Sequence, residues 1–188
     1  NSSELNVFDL NKVDSKRRND YGMNKIGQGC LLAKRLVKQG ITFVEVENGG
    51  WDTHVNNFDK LTQKLPEVDT AISALVADLE SEGLLDSTLI AIATEFGRTP
   101  KINTNTGRDH HPAAYSSVLI GGGIKGGMVY GETDDRGQKV KEDKVTPQDF
   151  NATIGRALGL PMEKEVFSPT GRPFHIAGKG TPIKDILL

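Results

Sequence analysis

The order of elements along this 188-residue chain predicts an α/β fold, with helices on the faces of a mostly parallel sheet. Three observations carry that prediction. Helix-type and strand-type segments alternate from Asn24 to Ile120. Leu89-Ile90-Ala91-Ile92-Ala93 is a near-continuous apolar run, suited to a strand covered on both faces. The longest helical segment gathers its apolar residues into one stripe, as on a helix packed against a sheet.

Each element has its own local reason. A short helix is expected over Val13–Asp20. From Asn24 to Gln39, Ile26, Cys30, Ala33 and Val37 recur at helical spacing, and Gly40 stands where a left-handed cap is wanted. Ile41, Phe43, Val44 and Val46 then make Ile41–Glu47 a predicted strand. It leads through the sharp Asn48-Gly49-Gly50 loop into Trp51-Asp52-Thr53-His54. Phe58, Leu61, Leu65, Val68, Ile72, Leu75 and Leu79 step by three and four. They predict a short helix, a kink or break at Pro66, and a main helix to Glu82 with Gly83 as cap. Strands are predicted at Thr88–Thr94 and Ser116–Ile120, and a hairpin at Met128–Val140 over the turn Asp134-Asp135-Arg136-Gly137. Thr146 and Pro147 open a last helix to Leu158, and the tail from Pro161 is expected to be irregular. With no repeat and no low-complexity linker, the expectation is one domain over 1–188.

Composition narrows the function. Net charge is −2, and acidic and basic residues are interspersed, which argues against a nucleic-acid groove or a membrane-surface patch but leaves room for a small basic pocket. No apolar run approaches the roughly 20 residues that span a bilayer. The single cysteine, Cys30, excludes an internal disulfide and reads as a packing residue. The chain opens Asn-Ser-Ser, without an initiator Met or a signal-type segment; the expectation is a piece of a longer protein.

The chemistry gathers at predicted strand ends, where open α/β sheets bind ligands. Asp52 and His54 follow the strand ending at Glu47, and Glu95 follows the one ending at Thr94. His110 and His111 precede the next strand and can reach the same rim. Two carboxylates with two or three imidazoles suit Zn²⁺ or Mn²⁺, with Ca²⁺ or Mg²⁺ as oxygen-richer options. Arg98 and Arg108 are candidates to hold an anionic group bidentately. Plainer roles stand beside these: Asp52 as a turn or cap residue, Glu95 paired with Arg98, Arg108 paired with Asp109, and the histidines as exposed loop residues. His175, in the tail, is a weaker candidate. The glycines at 121–123 and 126–127 lack the order of a phosphate-binding loop and read as turns.

Gly49-Gly50-Trp51-Asp52-Thr53-His54 with Phe58, Glu95-Phe96-Gly97-Arg98-Thr99-Pro100, Gly107-Arg108-Asp109-His110, Gly121–Gly127 and Gly171-Arg172-Pro173-Phe174 occur in this order. Over nearly its whole length the chain thereby resembles the bacterial family catalogued as domain of unknown function 1501. That family looks like a branch of the alkaline-phosphatase and sulfatase superfamily. The resemblance implies a three-layer α/β/α sandwich of alkaline-phosphatase type, of which this chain is the carboxyl-terminal part. It also implies two divalent ions, a small anionic phosphate or sulfate ester as substrate, and export to the periplasm or the exterior.

By motif, Asp52, His54 and His110 resemble the ligands of one metal, and Glu95 stands at the second. The pattern departs in three places. Asp52 and His54 are closer in sequence than the superfamily's usual pair. Phe96 occupies the place of a second-metal histidine and cannot ligate, so a second site would need rebuilding with Asp109 or His111. The nucleophile and first aspartate are expected in a missing amino-terminal half, so no catalytic nucleophile is assigned within this chain. The expected function is therefore part of a metal-dependent ester hydrolase, inactive as this chain alone. A non-catalytic metal-binding or scaffolding protein is the alternative, and an α/β domain without a site is the plainest.

Overall fold

The computed structural model describes residues 4–188. The chain forms two compact units, one made of residues through Leu85 with Lys101–Asp109, the other of Asp86–Pro100 with His110–Leu188.

Helices build the first unit. Helix α1 spans Ser15–Asp20, α2 Lys25–Lys38 and α3 Asn57–Ser81. Asp14 caps α1 by accepting from the Lys16 and Arg17 amides, and Asn24 caps α2 through the Gly27 amide. Gly40 and Gly83 both take positive φ just past α2 and α3, as their sequence positions predict. Ile26, Cys30, Leu31 and Ala33 of α2, together with Ala71, Leu75 and Leu79 of α3, form the core with Tyr21.

Asp78 is buried within this core, accepting from the Tyr21 hydroxyl at 2.7 Å, paired with Arg17 and 3.8 Å from the Lys34 ammonium. A buried carboxylate persists only with such partners. Burial pushes the Tyr21 phenol well above its usual range, which keeps it a neutral donor to Asp78.

Among the described residues the second unit carries all the strands, each in a two-stranded antiparallel pair. Strand β1 (Leu89–Ile92) pairs with β4 (Val118–Gly121), and β2 (Gly97–Arg98) with β3 (His110–His111). Strand β5 (Glu132–Thr133) pairs with β6 (Val140–Glu142), and β7 (Glu165–Phe167) with β8 (Pro173–His175). Helix α4, Pro147–Ala157, opens with a capping box in which Thr146 and Asp149 satisfy each other's amides.

The expected three-layer α/β/α sandwich on a mostly parallel sheet is therefore overturned. No ladder among the described residues is parallel, and no sheet exceeds two strands. Two physical facts explain the error. A short apolar run does not reveal how many of its faces are covered, and β1 is at most half-buried, with β4 its sole ladder partner. The carboxyl-terminal part of the α3 stripe, Leu75 and Leu79, is buried in the core shared with α2 rather than against a sheet, whereas Phe58 and Leu65 are exposed.

Ile41–Glu47 belongs to no ladder despite its β-branched residues. Val46 lies against α2, where a side chain on Gly29 would come within 2.8 Å of it, while Phe43 is 79% exposed. Helix α3 runs unbroken through Pro66, which sits on its exposed side. The tail forms the β7–β8 hairpin where irregular chain was expected. No helix among the described residues is long and apolar enough to cross a membrane.

Candidate metal centre

The expected convergence at a parallel-strand rim has no basis in this fold, so the site needs another cause. In the first unit that cause is a pair of loops sewn together. The loop after Gly49 is held first against α3. The Trp51 indole donates to the Asn48 carbonyl at 2.6 Å, and Lys64 donates to the Gly49 carbonyl while lying 5.1 Å from the Trp51 ring centre. Buried Thr53 donates to the Asn57 side chain at 2.6 Å, fixing the backbone on either side of His54 and Val55.

The segment Lys101–Asp109 then lies along Thr53–Asn57. The Asn56 and Asn57 amides donate to the carbonyls of Asn105 and Thr106, and the Arg108 amide donates to Thr53. Two amides at the start of α3, which no helical turn could satisfy, thereby find acceptors. The approach is so close that a Cβ on Gly107 would stand 1.9 Å from the His54 carbonyl oxygen.

This stitching brings His54 between two carboxylates. Its Nδ1 donates to Asp109 Oδ1 at 2.9 Å, and its Nε2 lies 3.1 Å from Asp52 Oδ1. All three side chains face solvent, from 41% exposed for His54 to 67% for Asp52. Two donors bound side by side to one ion at about 2.1 Å each stand about 3.0–3.4 Å apart, the lower figure octahedral and the upper tetrahedral, so the 3.1 Å Asp52–His54 spacing fits a shared cation. Asp109 fits the outer partner of a metal-ligating imidazole, the group that fixes its tautomer and direction. Arg108 has its guanidinium carbon 5.5 Å from the Phe58 ring centre, so an aromatic face braces it.

The other predicted residues belong to the second unit. Glu95 is exposed at the bend before β2. Arg98 and His110 face each other across the β2–β3 pair. Phe96, where a second metal ligand was sought, packs on the His110 ring with centroids 4.4 Å apart. His110 and His111 are successive strand residues and so point to opposite faces, and His111 Nε2 donates to the Gln138 carbonyl at 2.9 Å. His175 is exposed on β8 opposite Glu165.

Sequence reasoning overlooked Asn103, whose amide group donates to the His54 carbonyl and to Asp109 Oδ1, both at 3.0 Å. The signal was present in Asn103-Thr104-Asn105-Thr106-Gly107, a stretch dense in residues whose side chains cap their own turns. A family model described as a protein of unknown function, DUF1501, matches residues 1–187. No curated protein and no solved structure matches the chain.

Proposed function

Taking as premise that the chain belongs to the DUF1501 family, we propose that it supplies a divalent-cation site to a hydrolase of phosphate or sulfate esters. The observation that carries this reading is the clamped His54, with one ring nitrogen anchored by Asp109 and the other beside Asp52. In this reading Asp52 and His54 are ligands. Together they offer one carboxylate oxygen and one ring nitrogen. Such a set suits Zn²⁺ or Mn²⁺ better than an oxygen-seeking Ca²⁺ or Mg²⁺. A divalent ion bound there would polarise the ester and offset charge on its oxygens.

The chain's own residues do the rest. Asp109 holds the His54 proton on Nδ1, leaving Nε2 as the donor. Arg108, braced by Phe58, would be the cation that meets the ester's anionic oxygens. No Ser or Thr of this chain is assigned as nucleophile. Export and a place in the alkaline-phosphatase and sulfatase superfamily belong to the same reading and rest on the motifs alone. A second reading, a non-catalytic metal-binding or scaffolding protein, is favoured by one feature. Phe96 packs on His110 where a second metal would require a ligand.

Two measurements test these readings. Zn²⁺ or Mn²⁺ at about a hundred times its Kd should stabilise the chain by about 2.7 kcal/mol, raising Tm by about 5–10 °C. Asp52→Ala and His54→Ala should each abolish the rise. No retained ion and an unmoved Tm would sink the site. The protein of the complete reading frame, loaded with metal, should hydrolyse an aryl phosphate or sulfate and lose that activity with Asp52→Ala. Bound metal without turnover of either ester class would leave the scaffold reading and remove the hydrolase.

A further inference from the structure

The Asn103 side chain uses its full hydrogen-bonding capacity. Its oxygen accepts from the amides of Asn105 at 2.9 Å and Gly107 at 3.0 Å, closing the turn. Those two donors require an oxygen, so the amide nitrogen must face the other way. There it donates to the His54 carbonyl and to Asp109 Oδ1, both at 3.0 Å. Asp109 Oδ1 is also the atom that receives His54 Nδ1 at 2.9 Å. One oxygen thus joins two donors, and its position is set from the backbone of the turn through Asn103.

We propose that Asn103 is a positioning residue, acting through Asp109 to hold the His54 ring in the tautomer that leaves Nε2 as a ligand. Its two halves do separable work. The oxygen folds the turn, whereas the nitrogen aims the carboxylate. Asn103→Asp separates them, because a carboxylate still accepts from Asn105 and Gly107 but donates to nothing and repels Asp109. Only the metal-affinity consequence rests on the proposed ion; the tautomer does not.

The test is made on the metal-free chain with ¹⁵N-labelled histidine at a fixed, mildly alkaline pH. Asp52 Oδ1 lies 3.1 Å from Nε2 and competes for the proton. In the wild type the ring nitrogen shifts of His54 should report a proton resident on Nδ1, and a proton on Nε2 alone overturns the proposal. In Asn103→Asp they should report a mixture, or the opposite tautomer, at an amide spectrum otherwise that of the folded chain. An unchanged His54 ring in the folded variant overturns the proposal. If the variant does not fold, exchange of the Asn103 side-chain protons in the wild type decides instead. Slow exchange of both supports the proposal, and the rate of a free amide overturns it. Zn²⁺ affinity should fall about 10- to 100-fold in Asn103→Asp. A changed tautomer with unchanged affinity removes the link to the metal, and a wild type that binds no Zn²⁺ overturns the proposed site alone.

Discussion

Gly107 shows how one residue decides whether the site exists. It is buried, its amide donates to Asn103, and a methyl there would overlap the His54 backbone at 1.9 Å. Nothing flexible can yield, since the obstacle is main chain. Gly107→Ala should therefore cost about 2–3 kcal/mol, near the top of the usual range for overpacking, and should part the two loops, removing any rise in Tm that the proposed metal gives the wild type. Gly126→Ala is the matched control. A methyl there meets nothing within 4 Å, so thermal unfolding should move by less than about 0.5 kcal/mol. Equal losses in the two variants would show that the loop contact contributes nothing. Asp52, His54 and Asp109 could be picked from the sequence as chemically apt residues, but their roles could not. Which carboxylate stands beside Nε2 and which anchors Nδ1 depends on a hydrogen-bond path through Asn103 that sequence spacing does not encode.

Helix α4 is the element whose sequence and structure agree most closely. Thr146 and Pro147 predicted its start, and each occupies the expected position, with Asp149 completing a capping box. The same cap also holds the tail. Asp149 accepts from the Thr181 amide at 2.8 Å, and Thr153 accepts from Ile183 at 2.9 Å. The Thr146 hydroxyl, and after it the Thr181 and Thr146 amides, hold the Asp149 carboxyl below its ordinary range. A depressed folded-state pKa contributes stability that is present above the unfolded value and lost as pH falls through the folded one. Thr146→Ala should therefore lose about 1 kcal/mol at neutral pH. The difference from wild type should shrink in acid as Asp149 protonates, and a gap that stays constant or widens in acid would refute the cap. Ile41–Glu47 is the contrary case. Its composition is that of a strand, but a strand exists only through a partner, and none of the described residues supplies a ladder to it.

At the scale of the whole molecule, the chain separates into a helical unit and a unit that holds the short antiparallel pairs and α4. Cys30 is 2% exposed in the core of the first unit, and burial pushes its thiol up to about 11. Both effects withhold the thiolate, which is the reactive form. At pH 8 a disulfide reagent should therefore label Cys30 only as fast as the helical core opens, and labelling should rise in step with loss of helical circular dichroism under urea. Fast labelling of the native chain would show that α2 does not pack as described.

The sequence by itself determined what short-range chemistry specifies: the spans of α2 and α4, the glycine caps after α2 and α3, and the Asp134 turn. There Gly137 has φ +64° and its amide donates back to the Asp134 carbonyl. These depend on residues within a few positions of one another. Only the tertiary structure decided that β1 pairs with β4 and does so antiparallel, that α3 faces α2, and that the Asn103 loop lies on the His54 loop. Each of these depends on groups 30 or more positions apart, such as Leu89 and Gly121 or Asn103 and His54. A local pattern can say that a surface is apolar or that a side chain is a donor. It cannot say which distant group will meet it, because that partner is chosen by the packing of the chain as a whole.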